Sequence, residues 1–507
     1  MYKVRVLQEI NDRLDAEYYN PAALSTLKKM ETKGTVTTFG DLVDEGYRVV
    51  YHGTDSINGL KDSEVLPFLS PTQIDANGSI NFEDADKLPL YYKDQYPKGL
   101  GKAGEILVEV KGNVSKVGIV PSAFPKNLMI SGSLYKATLN PRRVDSHYVL
   151  AFLKSKDGQI LKNRLTSNTI INYIAKDALY SIPVIEFKEK AQKYIGDKVR
   201  QAEQLRAWAK RLENQFHQKL TENYPEVFED KRTGKKYSKA PVEDISYTLN
   251  PGAFDEERLR IRLYLKKLGA VKLREIATIE GPTCSSYSPQ TKYIGLDSIS
   301  SNSCALSPST IRESDVTGTS RLLSEGPVVA KLRPYLNKVS YIPKSLAGAV
   351  GSTELLCVKA TGATSNWYLY GVLKSDITLQ QLKPVASGST HPRIDQYDLY
   401  DLVLPIHQDH QIMGSWIENA QLAYFAAAQQ VNAAKTLVEA LIEGQLTEQQ
   451  LIQAQQALED GDNSLDQAIL SKLSAEGYAI EGATPLFSDV DELYSLLEEA
   501  AQAEAEE

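Results

Sequence analysis

The stretch GEILVEVKGNVSKVGIVP, Gly104 to Pro121, returns 222 positions later as GPVVAKLRPYLNKVSYIP, Gly326 to Pro343, at the same length and without a gap. In each copy two short runs rich in β-branched residues flank a polar turn. EILVEV and KVGIV enclose Lys111-Gly112-Asn113, and VVAKL and KVSYI enclose Arg333-Pro334-Tyr335. Strand, turn and strand is the reading for both.

Working outward, further landmarks recur. Asn20-Pro21-Ala22 returns as Asn250-Pro251-Gly252, and MISGSLYKATLNP (Met129 to Pro141) returns loosely as AVGSTELLCVKATG (Ala349 to Gly362). SNTIINYIAKDALYSIPVI (Ser167 to Ile185) corresponds to GSTHPRIDQYDLYDLVLPI (Gly388 to Ile406). Order is kept throughout, with offsets between 219 and 230, so the chain reads as an internal duplication whose function has to be explained twice.

The expected fold class is α+β, with two duplicated domains at residues 1–186 and 225–404. A long helix is expected after each, at 187–224 and 405–443. In the first, Ile195, Val199, Ala202, Leu205, Ala209, Leu212, Phe216 and Leu220 recur at steps of three or four; in the second, Ile412, Trp416, Ala420, Tyr424, Ala427, Val431, Ala434, Val438 and Leu441 do the same. Each stripe either packs on its own domain or pairs with the other as an antiparallel coiled coil, and the matching lengths and places favour the coil. Residues 444–507 read as a separate tail of acidic helices.

Composition narrows the function. A chain of 507 residues with 42% apolar content is too long for one core. No apolar run approaches the roughly 20 residues needed to span a bilayer, and MYKVRVLQEINDRLD lacks a secretory h-region, so a cytoplasmic protein without a membrane partner is expected. Cys284, Cys304 and Cys357 lack disulfide or zinc spacing and read as plain thiols. The net charge of −8 is misleading, because from Glu443 onward 16 acids face the single Lys472. The remaining body holds 56 basic and 49 acidic side chains, a mildly positive surface compatible with phosphate.

Catalytic motifs are missing. Gly99, Gly101 and Gly104 spell G-x-G-x-x-G, but a strand follows where a dinucleotide loop requires a helix. His407 and His410 have no third ligand at metal spacing and are expected at the exposed start of the second long helix. No phosphate loop, H-E-x-x-H, G-x-S-x-G or Asn/Asp-Pro-Pro-aromatic motif occurs.

The duplicated chemistry remains. The first turn offers Lys111, Asn113, Ser115 and Lys116, and the second offers Arg333, Tyr335, Asn337 and Lys338. Cations on such turns neutralise phosphates, while Asn, Arg and Tyr reach base edges or stack, so one scaffold with altered tips suits two DNA sequences. Solvated charges on a plain hairpin are the bland alternative. Ser167, Asn168 and Thr169, matched by Ser389, Thr390 and Arg393, read as capped helix starts that also suit phosphate. The loop YYKDQYPKGLGK (Tyr91 to Lys102) interleaves aromatics with lysines, although an ordinary surface loop does so too.

This layout resembles the specificity (S) subunit of type I restriction–modification systems. The resemblance is carried by RLDAEYYNPAAL, KAGEILVEVKGNVSKVGIV, GSTHPRI and DLVLPIHQDHQI, the last similar to the family's I-P-L-P-x-x-x-x-Q entry into a spacer helix, and covers about residues 13 to 445. It implies two target-recognition domains, each reading half of a split site on double-stranded DNA, with the paired helices as a ruler. It also implies methyltransferase subunits that bring S-adenosylmethionine, a restriction or translocase subunit beside them, and no cofactor or catalysis on this chain. SIPVIEFKEKAQ lacks the family's second Pro. The acidic tail is outside the usual plan and leaves open a type IIB arrangement with fused nuclease and methyltransferase. In the tail, Leu486, Phe487, Leu493, Leu496 and Leu497 form a face expected either to dock on a partner or to fold with the tail over the basic domains. A free-standing DNA-binding regulator and a tandem protein-binding adaptor are the rival readings.

Overall fold

The computed structural model describes residues 16–166, 172–229 and 248–506. The chain divides into two compact units, Met1–Leu205 with Ala426–Ala505, and Arg206–Phe425 with the last two residues. Both mix helix and sheet.

The first unit is built on four strands, β1 (Val43–Tyr47), β2 (Ile106–Glu109), β3 (Val117–Ile119) and β4 (Leu134–Leu139), in the order β1-β4-β2-β3, antiparallel throughout. β2 is buried at every residue, as expected of a central strand with the run Ile-Leu-Val. Helix α1 (Ser146–Lys154) follows, started by Asp145, whose carboxylate accepts from the N–H groups of His147 and Tyr148. Its Tyr148 hydroxyl donates to the Ile185 carbonyl. α2 (Glu189–Asn223) then runs for 35 residues, roughly 52 Å at 1.5 Å per residue, passing from this unit into the second.

The second unit repeats the plan. β5 (Ala277–Glu280), β6 (Gly326–Ala330), β7 (Val339–Ile342) and β8 (Leu355–Ala360) lie in the order β5-β8-β6-β7, again all antiparallel. α3 (Asn366–Lys374) is capped by Ser365, and the Tyr368 hydroxyl donates to the Pro405 carbonyl. α4 (His410–Glu443) is the second long helix and ends in the first unit. The two expected hairpins are therefore β2–β3 and β6–β7. Asn20 and Asn250 also act alike, their side chains accepting from Ala22 and Gly252.

Each long helix touches several elements. Within the first unit, the Gln430 side chain of α4 donates to Gln201 of α2, while Arg200 of α2 pairs with Asp145 at the start of α1. Within the second, Glu213 of α2 accepts from the Tyr424 hydroxyl of α4 and from the Cys304 N–H. The expected stripe on α2 is buried except for Leu212, which is half-buried. On α4 the stripe starts one residue late: Ile412 is 57% exposed, whereas Met413 and Ile417 are buried. The reason is Gly414, which lies against Ser365 and the Tyr368 N–H and so sets the rotation at which α4 meets its domain.

The tail is not separate. α5 (Glu448–Glu459), α6 (Ser464–Leu470), a hairpin of Leu473–Ser474 with Gly477–Tyr478, and α7 (Val490–Ala505) all belong to the first unit. Asp466 is buried with Lys198 of α2 at 2.7 Å and accepts from the hydroxyls of Tyr194 and Tyr494. Phe487, Leu493 and Leu496, expected either to dock on a partner or to fold with the tail over the basic domains, are buried within this unit.

Candidate nucleic-acid interface

The β2–β3 turn is organised by one carboxylate. Glu109 ends β2 facing inward, is 5% exposed, and accepts from the backbone N–H groups of Asn113 (3.1 Å), Ser115 (2.9 Å) and Lys116 (3.1 Å). A carboxylate that gathers three donors holds a loop firmly without a second partner. Gly112 and Val114 take positive φ, with Val114 turned inward, and the buried Lys162 ammonium donates to the Val114 carbonyl. The tips of Lys111, Asn113 and Ser115 are consequently exposed and Lys116 half-exposed. Among the described residues neither lysine ammonium is ion-paired or hydrogen-bonded.

This turn is paired with the second recurring segment. Lys111–Gly112 forms an antiparallel bridge with Asn172–Tyr173, and the Ile174 N–H donates to the Val110 carbonyl. Ser167, Asn168 and Thr169 lie outside the described residues.

The β6–β7 turn makes the same junction with other residues. Arg333 and Asn337 both adopt positive φ, at 49° and 50°, around a short turn over Pro334–Leu336. The Arg333 N–H donates to the Pro392 carbonyl at 2.7 Å, and the Ile394 N–H to the Lys331 carbonyl at 3.1 Å. From beneath, Lys374 donates to the carbonyls of Ser300 and Val339, and burial lowers its ammonium to about 8. The two elements singled out separately in sequence are thus joined in each unit.

The side chains at the second junction divide into two groups. Tyr335, Ser389 and Thr390 are exposed at the tips. Asn337 donates to the Lys374 carbonyl, Lys338 to the Ile299 carbonyl, and Arg393 is bound by both Glu354 oxygens, so these three hold the fold of the turn. The Arg333 Nη2 donates to the Thr390 carbonyl at 3.5 Å. The expectation that Thr390 caps a helix is corrected. Thr390 lies in a bend closed by a bridge between Ser387 and Arg393, and the helix beyond begins at Gln396, capped by Asp395. In the first unit the corresponding helix starts at Lys176 after an uncapped Ala175.

Two other readings change. His407 is buried rather than exposed, its Nδ1 accepting from the Asp409 N–H. In YYKDQYPKGLGK, Tyr92 and Tyr96 turn inward and pack with Tyr51, while the Tyr91 hydroxyl donates to Asp55. Cys284, Cys304 and Cys357 are free thiols, as expected.

Sequence reasoning missed Arg48. Its Nε donates to the Gly132 carbonyl at 2.6 Å and its Nη1 to the Tyr173 hydroxyl at 3.3 Å, so its guanidinium stands beside the first junction. No local motif marks it, because the partners are 84 and 125 residues away. Glu109 was legible in principle, as an acid closing an apolar strand before a Gly-Asn turn. No helix is long and apolar enough to cross a membrane among the described residues, and none of their His, Cys, Asp and Glu groups is arranged to hold a metal.

No family model matches this sequence, and no curated protein matches it. Solved structures do. The type I restriction–modification S subunit from M. genitalium is 14% identical, with a TM-score of 0.33, over 83% of this chain and 95% of that one. The HsdS subunit from Thermoanaerobacter tengcongensis is 12% identical, with a TM-score of 0.27, over 82% and 97%. A chain from a structure of complex assembly and conformational transition in the type I R-M system is 13% identical, with a TM-score of 0.26, over 83% and 97%. All three of these solved structures are of type I restriction–modification proteins.

Proposed function

We propose that this chain is the non-catalytic DNA-recognition subunit of a restriction–modification complex. The observation that carries the reading is the repeated junction. Two four-stranded sheets of identical order each present a β-turn bridged to the same return segment, with Lys111, Asn113 and Ser115 at one tip and Tyr335, Ser389 and Thr390 at the other. A repeated scaffold with different tips is what two different half-sites require, and their binding free energies add.

In this reading residues 1–186 and 225–404 each read half of a bipartite duplex site, and α2 and α4 pair as an antiparallel coiled coil that sets the unread spacer. Methyltransferase subunits carry S-adenosylmethionine and the chemistry, with a restriction subunit alongside in a type I assembly or a fused enzyme in a type IIB one. The complex works in the cytoplasm.

The test is titration of labelled duplex DNA at several salt concentrations, with and without a co-expressed methyltransferase. Replacing Lys111 and Lys116 together by Ala should flatten the logarithmic salt slope by up to about 2, since each phosphate contact contributes about 0.9. A parent chain with no salt-dependent affinity for duplex DNA under either condition overturns the reading.

A further inference from the structure

The two junctions correspond residue by residue. The Val110 carbonyl accepts from the Ile174 N–H in the first unit as the Lys331 carbonyl accepts from the Ile394 N–H in the second. Two positions further on, each turn takes a positive φ, 122° at Gly112 and 49° at Arg333. Glycine adopts such a backbone without steric cost, and a residue that carries a Cβ does not. The first turn therefore has the residue that suits its backbone, whereas the second keeps an arginine in spite of it.

Nothing inside the second unit accounts for that arginine. Its Nε is buried without a hydrogen-bond partner among the described residues, and its Nη2 reaches the Thr390 carbonyl only at 3.5 Å, the outer limit of a hydrogen bond. Its neighbours are engaged: Asn337 holds the Lys374 carbonyl, Lys338 the Ile299 carbonyl, and Arg393 both oxygens of Glu354. Arg333 is thus weakly held in the crease between the turn and the return bend, beside the exposed Tyr335 and Thr390.

We propose that Arg333 reads a guanine in the half-site of the second domain, with two of its N–H groups donating to O6 and N7 in the major groove. The proposal rests on the DNA-recognition reading given above. A guanidinium carries donors only, so it is matched by a base edge that offers two acceptors side by side; in the major groove guanine offers that pair, whereas adenine sets an amino donor beside its N7. Phosphate is served by charge on an unstrained backbone, which Lys111 provides beside Gly112 in the first turn. Arg333, on a strained backbone, has its fork aimed in one direction, which a base edge requires.

The test compares the parent with Arg333→Gly, each as the full chain with its partner methyltransferase. Methylome sequencing gives the bipartite site, and duplexes that each carry one changed base pair are then titrated at several salt concentrations. At one G·C pair of one half-site the parent should discriminate by about fivefold or more, and the variant should lose that preference while keeping the others. The variant places glycine at a positive φ, as in the first turn, so its melting temperature should equal or exceed that of the parent. Uniform weakening with a logarithmic salt slope lower by about 0.9 indicates a phosphate contact and overturns the proposal. So does a relaxed position at an A·T pair, the absence of any relaxed position, or a lower melting temperature in the variant, since Arg333 then serves the fold. A parent complex that methylates no bipartite site removes the DNA-recognition reading itself, and this proposal with it.

Discussion

Gly196 approaches Asp145 so closely that a methyl group on it would stand 2.7 Å from the Asp145 Oδ1. The carboxylate has no freedom to retreat, because it caps α1 and pairs with Arg200. Burial alone would raise the Asp145 carboxyl, but His147 and Arg200 hold it down to about 2. Gly196→Ala should therefore cost about 1–3 kcal/mol of stability by overpacking. Gly414→Ala should behave alike, since Ser365 Oγ would be 2.7 Å and the Tyr368 N–H nitrogen 3.1 Å from the new methyl. Chemical denaturation of each variant checks this; two unperturbed midpoints contradict it.

His147 makes the first of these junctions pH-dependent. Its ring stands 3.7 Å from Asp145 and 3.5 Å from Glu203 of α2. Burial pulls its pKa down, yet the two carboxylates outweigh burial and the net shift is upward. A raised folded pKa gives stability that is complete below the unfolded value, about 6.5, and is lost as pH rises through the folded value. The melting-temperature gap between the parent and His147→Gln should thus be widest near about pH 6 and narrow toward about pH 9. A gap that widens with rising pH would refute the assignment.

The tail clasp has the opposite pH sense. Burial would raise the Asp466 carboxyl, but Lys198 and the hydroxyls of Tyr194 and Tyr494 hold it below its ordinary value. Its contribution is therefore present above the unfolded pKa of about 3.9 and lost as pH falls through the lower folded value. Asp466→Asn leaves the Lys198 ammonium buried without a counter-charge, which should cost about 3–5 kcal/mol. Replacing the pair together, as Lys198→Met with Asp466→Leu, should restore most of that loss. Limited proteolysis reads it directly, by cleavage near Gly444 in the single variant and protection in the double one.

What was legible in the sequence was whatever repeats or has a short period. The Gly104–Pro121 phrase and its copy became β2–β3 and β6–β7, and the stripe beginning at Ile195 became the buried face of α2. The misreadings have long-range causes. Ile412 has the right spacing for the stripe of α4, but Gly414 on Ser365 fixes the helix rotation, a contact 49 residues distant in sequence. Thr390 looks like a cap by composition, yet the bridge from Ser387 to Arg393 closes the loop before any helix begins. Asp466 reads as one acid in an acidic tail, and only packing against Lys198, 268 residues earlier, makes it a buried anchor. The partners of Lys338 and Arg393, the Ile299 carbonyl and Glu354, are likewise remote in sequence, and no local pattern reveals them.

The proposed ruler rests on the course of α2 and α4, each of which starts in one unit and ends in the other. Contacts inside each unit fix the ends, Gln430 with Gln201 in the first and Tyr424 with Glu213 in the second. Four residues inserted into each helix, after Leu205 and after Phe425, leave both sets of contacts in place. They add about one turn and roughly 6 Å. At about 34 Å per 10 base pairs this corresponds to roughly two base pairs of spacer. Inserting into one helix alone would shift Gln201 past Gln430 and should destabilise the chain instead. The measurement is methylome sequencing of cells carrying the double insertion with the partner methyltransferase. The expected site keeps both half-sites and lengthens only the unread gap. Altered half-sites at constant spacing would mean that α2 and α4 tune the reading domains and do not measure distance.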